Sequence, residues 1–415
     1  MTTGKPIKSM VAKYGDRPLS LKISILSGYV FVLSVILLAG CSWLKEKPWE
    51  EFKTLRFIEE ESKKPVSLKG QISYLNIKGA DEKASVNVIG RTTLTPNGIN
   101  YGYSYDPVKL EPESRWASNL ELTTKLSDDC SLNLGIGGVK TRDDKQGRFE
   151  APPADGMTIY QNYIYMWGND FSATNDKSPS LYSPIDYYNK VELNQLVINA
   201  NFIMPIYRTR EYDLPRTVFS WSLGFKAGHF EHELRQGLRL NYFMYNYVLG
   251  EDLDNKVSLD MKSKAEIKFF GPAVGFYLEF KPVRWINFEG KFMQSYIFGK
   301  AILKGDFTDI DDMQYFTTGT STVTGTEYDY GTAPFRDKES IAVPVTELDI
   351  NVVFPVKAGL KIRLGGFVSH WNGLPLAPNF EYVDKTVSRY PVWHTRKESL
   401  FFNAIGTLLT VELKF

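Results

Sequence analysis

The C-terminal run from Leu400 to Phe415 sorts its side chains by parity, and that sorting restricts the fold more than any other feature of the chain. Phe401, Ile405, Leu409, Val411, Leu413 and Phe415 fall on one face, and Ala404, Gly406, Thr410, Glu412 and Lys414 fall on the other. This is the two-residue repeat of an extended strand, not the 3.6-residue repeat of a helix. An apolar strand flush with the chain end would be an unprotected edge in a soluble sheet, and a sheet closed into a barrel has no such edge.

Alternating segments recur from Val66 onward. The pattern predicts strands over 66–77, 113–126, 130–140, 191–203, 218–234, 265–281, 286–301, 345–354, 360–371 and 399–415. Their connections sort by length. Residues 127–129, 282–285 and 355–359 make tight turns and 204–217 a somewhat longer one, whereas 78–112, 141–190, 235–264, 302–344 and 372–398 are long. Short turns at one end and long loops at the other is the arrangement of outer-membrane barrels, with an even number of strands and the long loops outside the cell. One strand sends Phe219, Trp221, Leu223, Phe225 and Ala227 toward lipid and Ser220, Ser222, Gly224, Lys226 and Gly228 inward. The next repeats the pattern with Phe270, Val274, Phe276, Leu278 and Phe280 outward. The segment 191–203 departs from it, because Glu192 and Asn194 share parity with Leu196, Ile198 and Phe202; a bulge near Asn194 would restore the pattern. The expected fold is all-β: a transmembrane antiparallel up-and-down β-barrel of about 10 strands with long extracellular loops. Aromatic residues make up 14% of the chain, enough for girdles at both membrane interfaces. A mean hydropathy of -0.25 excludes a bundle of membrane helices but suits a barrel, where only alternate residues meet lipid.

Leu409, Val411, Leu413 and the terminal Phe415 resemble the signal read by the bacterial barrel-assembly machinery, which implies that machinery as a partner. At the other end Lys5, Lys8, Lys13, Arg17 and Lys22 precede an uncharged apolar run from Ile23 to Gly40, the make-up of an export signal. The run is long enough for an uncleaved anchor. Against that, Leu38-Ala39-Gly40-Cys41 resembles the lipobox of bacterial lipoproteins, in which the Cys is acylated and becomes the new N-terminus. The resemblance implies a signal over 1–40, a charged periplasmic tether over 41–65 and a barrel over 66–415, and Ser42 in place of Asp implies sorting to the outer membrane. Asn189 to Leu193 and Phe270 to Ala301 resemble, diffusely, parts of the Legionella-type major outer-membrane proteins, which implies an outer-membrane barrel and no functional residue.

Removing residues 1–40 takes five basic groups and one acid, so the formal net charge falls from +1 to −3. Nothing in that balance points to nucleic acid. Cys41 and Cys130 are the two cysteines, and acylation of the first leaves the second without an intramolecular partner.

Few residues suggest chemistry. His229 and His232 lie three apart on a strand and so face opposite ways. With Glu231, Glu233, His370 and His394 they define a rim hydrolase as the alternative function, although no enzyme motif is matched. Asp306, Asp309, Asp311 and Asp312 cluster in an expected loop, as a calcium site, a solvated loop or a divalent bridge to lipopolysaccharide. The 141–190 loop gathers Tyr160, Tyr163, Tyr165, Trp167, Phe171, Tyr182, Tyr187 and Tyr188, either an extracellular ligand platform or the loop's own small core. No pattern calls for a cofactor or a metal.

The lumen is the most specific site. At the first hairpin the inward residues Glu279 and Lys281 face Glu289 and Lys291, and a register summing to 570 pairs Glu279 with Lys291 and Lys281 with Glu289. At the second, a register summing to 710 pairs Glu347 with Arg363 and Asp349 with Lys361. Opposite charges across strands stabilise a hairpin, and about ten strands leave little room beyond side chains. The sequence therefore predicts a non-enzymatic barrel in the bacterial outer membrane with a structural, surface-interaction or narrow-pore role, largely plugged, in contact with outer-membrane lipid and lipopolysaccharide. A secreted lipoprotein with a soluble β-sandwich is the second alternative.

Overall fold

Every regular element among the described residues is a strand. The structure, a computed structural model, describes residues 65–78, 82–96, 98–110, 115–127, 129–149, 158–166, 185–209, 214–246, 251–283, 285–316, 323–332, 334–357, 359–385, 388–394 and 400–414. All lie in one compact unit, Phe57–Phe415. The expected signal over 1–40, most of the tether over 41–65, Cys41 and Phe415 fall outside the described residues.

The strands are β1 (Val66–Lys78), β2 (Glu82–Thr95), β3 (Gly98–Leu110), β4 (Arg115–Ser127), β5 (Cys130–Phe149), β6 (Thr158–Met166), β7 (Ile185–Arg208), β8 (Arg216–Asn246), β9 (Glu251–Val283), β10 (Ile286–Phe316), β11 (Val323–Thr332), β12 (Phe335–Lys357), β13 (Leu360–Leu374), β14 (Asn379–Lys385), β15 (Ser388–His394) and β16 (Leu400–Lys414). Ten of them, β1, β4, β5, β7, β8, β9, β10, β12, β13 and β16, pair in chain order, each antiparallel to the next. Pairing of β16 with β1, from Ser67↔Lys414 to Lys78↔Asn403, closes the ring. These are the ten segments that alternation marks in the sequence. The tight connections β4–β5, β7–β8, β9–β10 and β12–β13 gather at one end, which also holds Val66 and Lys414. Gly359, at φ 82°, turns the last of these hairpins in a conformation that suits glycine.

The long connections are not what the sequence suggests. β8, β9 and β10 run 31, 33 and 31 residues, about three times the 9–11 residues a membrane strand needs. Much of 235–264 and 302–344 therefore continues the barrel wall. Asp306, Asp309, Asp311 and Asp312 lie in β10, paired with β9, rather than in a loop. The 78–112 connection forms the β2–β3 hairpin, and β6, carrying Tyr160, Tyr163 and Tyr165, leaves the 141–190 connection to add to β2 as a three-stranded sheet. The aromatic segment is thus part of a shared sheet, not a self-contained loop. Tyr187 and Tyr188 belong to β7, with Tyr187 stacked 4.3 Å from Phe149, and Trp167, Phe171 and Tyr182 lie outside the described residues.

Alternation gives the barrel two faces, and height along the barrel changes what each face carries. Toward the short-turn end the outward residues are apolar and exposed, among them Leu134, Ile136, Phe202, Leu223, Phe225, Phe276, Leu364 and Val411. On β9 the apolar outward run goes from Phe270 to Phe280, about 33 Å of strand, or about 25 Å of height at a 40° tilt. That is the height of the lipid-facing band of a transmembrane barrel. In water so continuous an apolar surface would be an aggregation site; in lipid, closure of the ring satisfies every backbone group.

Above the band the outer face turns polar. On β9, outward Lys268, Glu266, Lys264, Lys262 and Asp260 follow Phe270. Glu192 and Asn194 on β7 lie in this upper zone, and β7 pairs with β5 and β8 without a register shift between Val191 and Ile203. The bulge expected near Asn194 is absent there, because the strand has left the lipid and no longer needs an apolar outward residue.

Candidate functional site

The interior has two layers. In the lower one the inward residues are polar, starting with small ones on β8: Ser220, Ser222 and Gly224. A Cβ on Gly224 would run into the Ala200 carbonyl of β7, so a side chain there would force the strands apart.

All eight lumen charges inferred from the sequence face inward, but their partners differ from those expected. In the first hairpin the register places Glu289 opposite Glu279 and Lys291 opposite Tyr277, two residues from the 570 pairing. The Asn287 amide donates to both carboxylates, at 3.1 Å to Glu279 and 3.4 Å to Glu289. In the second hairpin Val353 faces Arg363, Pro355 faces Lys361 and Glu347 faces Ser369, so the 710 pairing is also absent. The β12–β13 turn sits closer to Gly359 than the Pro355-centred turn assumed, and the whole register moves with it.

The charges pair instead with other strands, some adjacent in the ring and some across the lumen. Lys291 on β10 approaches Glu121 on β4 at 3.7 Å and Asp349 on β12 at 4.0 Å. β10 and β4 are five strands apart whichever way the ten-stranded ring is followed, so this contact spans the barrel's diameter. Glu121 also meets Lys69 at 4.0 Å and accepts hydrogen bonds from Asn119 and Asn133. Arg363 makes a bidentate contact to Glu289, at 2.8 and 3.2 Å, and pairs with Glu412 on β16. Lys226 on β8, 1% exposed, reaches Glu347 at 2.5 Å and lies 5.6 Å from the centre of the Trp371 ring.

Trp371 opens the second layer. Above Lys226 the inward residues are mainly apolar: Val139, Leu193, Phe230, Ile267, Phe269, Ile297, Leu303, Val343 and Trp371 pack as one core, and polar His232, Gln236 and Ser263 are buried in the same layer. Leu374, Pro375, Leu376, Ala377 and Pro378 are buried as well. The Ala377 N–H donates to Nδ1 of fully buried His232 at 3.1 Å. Outside this layer the wall is ion-paired. Lys140 and Lys190 hold Glu192 at 2.8 and 2.7 Å and draw its carboxyl down to about 2. Arg148 holds Asp186 at 2.7 Å and lowers it. Lys264 bridges Glu231 and Glu266, both at 2.9 Å.

The histidines do not assemble. His229 faces outward on β8 while His232 faces into the core, and His370 is on β13. His394 is in β15. No cluster of potential metal ligands occurs among the described residues. Leu409, Val411 and Leu413 face outward, 48%, 42% and 40% exposed. Lys226, Glu121, Lys69 and Glu412 are lumen residues that the hairpin pairing missed. Their inward parity was the available signal, and the strands they reach are not neighbours in sequence.

No family model and no curated protein matches the chain. Among solved structures it is similar to the outer membrane protease OmpT of Escherichia coli, at 11% identity over 84% of this chain and 97% of that one, with a TM-score of 0.35. It is also similar to the toluene transporter TodX of P. putida, at 8% identity over 85% and 90% with a TM-score of 0.21. A third is the translocator domain of the autotransporter NalP from Neisseria meningitidis, at 6% identity over 94% and 98% with a TM-score of 0.18. At these values none of them informs the function, and the barrel rests on the closed strand pairing described above.

Proposed function

We propose that the chain is a non-enzymatic protein of the bacterial outer membrane, a sealed barrel that holds its upper wall and the β2–β3–β6 sheet outside the cell. Its role is structural or surface-interacting rather than conducting. The observation that carries this reading is the Lys291–Glu121 contact across the full ring, beneath an apolar layer that continues into Leu374–Pro378. A hydrated path would have to break the first and wet the second. In this reading Cys41 carries the acyl anchor, and Leu409, Val411, Leu413 and Phe415 are the assembly signal. The partners are membrane lipid, lipopolysaccharide and the assembly machinery, with a ligand at the aromatic 141–190 segment as a further role.

The test is conductance of the purified protein in planar bilayers. The expected result is insertion with no large, steady current. Large, steady current in the unmutated protein would promote the pore. Loss of lipid labelling in Cys41→Ala is expected, and unchanged labelling rejects the anchor.

A further inference from the structure

The row of outward residues just above the apolar band is unusual in its charge. Phe270 is the last apolar outward residue on β9, and Ala227 on β8 and Phe298 on β10 lie beside it. One step higher, His229, Lys268, Lys300 and Ser340 are consecutive cross-strand partners on β8, β9, β10 and β12. Lys268 and Lys300 are exposed and directly opposite each other, with Cβ atoms about 5 Å apart, an arrangement that repels. Higher up the same face two lysines are ion-paired, Lys264 with Glu231 and Glu266, and Lys304 with Glu266 at 3.2 Å. Among the described residues Lys268 and Lys300 have no carboxylate partner.

We infer that His229, Lys268, Lys300 and Ser340 form a site for the phosphomonoester of a membrane glycolipid whose acyl chains lie on the apolar band below. The position selects a lipid, since the row borders the band without a break. The charge selects a monoester, because two opposed ammonium groups match its ≈ −1.5 to −2 charge at neutral pH better than a phosphodiester's single one. Ser340 and the His229 imidazole add hydrogen-bonding groups at the ends of the row. The site is one-sided, because the row continues from His229 through Leu196, Gly138, Ser118 and Ile72, none of them charged. This inference rests on the membrane-spanning reading.

The full-length protein, refolded into neutral detergent, is titrated with four probes: diphosphorylated lipid A, the same lipid A dephosphorylated, phosphatidylglycerol and inorganic phosphate. Intact-complex mass spectrometry reads binding, and resistance to heat in SDS reads the fold. Diphosphorylated lipid A is expected to bind best. Lys268→Gln with Lys300→Gln should weaken it roughly thirtyfold, at about a factor of five per headgroup-facing cation, while Lys268→Arg with Lys300→Arg retains it. The Gln pair should leave the empty barrel's heat resistance unchanged or raised. Equal affinity for the dephosphorylated lipid, equal affinity in the Gln pair, or binding of inorganic phosphate and phosphatidylglycerol as tight as that of lipid A overturns the site and leaves the barrel standing. A protein without heat resistance in SDS overturns the barrel instead.

Discussion

The lower and upper halves of this barrel are inside-out versions of each other. Near the short turns Phe225 and Phe276 face outward while Glu121, Lys291 and Arg363 face in; higher on the same strands Glu231 and Glu266 face outward while Phe230 and Ile267 face in. One strand, β9, carries both patterns without a register break between Lys256 and Ala273 where it pairs with β8. The pleat is the same throughout and only the solvent differs. The lower wall keeps apolar groups toward lipid and must fill its interior with paired charges. The upper wall meets water and closes over an apolar core like a small soluble barrel.

The largest effect is expected where the lower interior loses a shared cation. Arg363→Glu removes the partner of Glu289 and Glu412 and should cost about 3–5 kcal/mol or prevent insertion, read by denaturant unfolding in detergent. Adding Glu412→Arg should recover part of the loss, whereas adding Glu347→Arg should not, because Glu347 pairs with Lys226. Restoration by the second pair and not the first would return the hairpin pairing. In the upper half, Phe230→Ala should cost about 3–5 kcal/mol, the range for an aromatic removed from a packed core. Phe225→Ala should cost much less, because lipid chains close over the gap; equal losses would erase the contrast.

A charge on the outer face separates the halves next. Phe276→Lys should destabilise by about 2–4 kcal/mol if the residue lies at mid-bilayer, and Asp260→Lys, higher on the same face, by no more than about 0.5 kcal/mol. The smallest effect is a pH dependence of the upper wall. Glu192 has its carboxyl drawn below the ordinary 4.5 to about 2, so its contribution is present above pH 4.5 and fades as pH falls toward 2. Glu192→Gln should flatten the acid limb of the unfolding midpoint there, and an unchanged limb would show that the pair with Lys140 and Lys190 adds nothing.

Much of this fold is legible in the sequence, because parity is local. A strand with Leu223 and Phe225 on one side and Ser222 and Gly224 on the other declares itself from a few residues, and so do tight turns such as 127–129. Register is not local. It depends on which residue turns the hairpin, and placing the turn at Pro355 instead of nearer Gly359 moved every partner of Arg363. Pairs across the ring, such as Lys291 with Glu121, join strands far apart in sequence, and hairpin reasoning cannot reach them. The charged outward residues above the band look like loop in the sequence, or like a bulge at Asn194, as long as outward is taken to mean lipid. The upper wall shows that outward means lipid only for the first part of each strand.

Spin labels placed one at a time along the outward positions of β9, from Phe280 through Phe270 to Asp260, in protein reconstituted into bilayers, test the inversion most directly. Accessibility is read with one lipid-soluble and one water-soluble paramagnetic quencher. The expected profile is lipid-dominated from Phe280 to Phe270 and switches to water-dominated at Lys268 and beyond. A profile dominated by water at Phe276 and Phe270, or by lipid as far as Asp260, would contradict it.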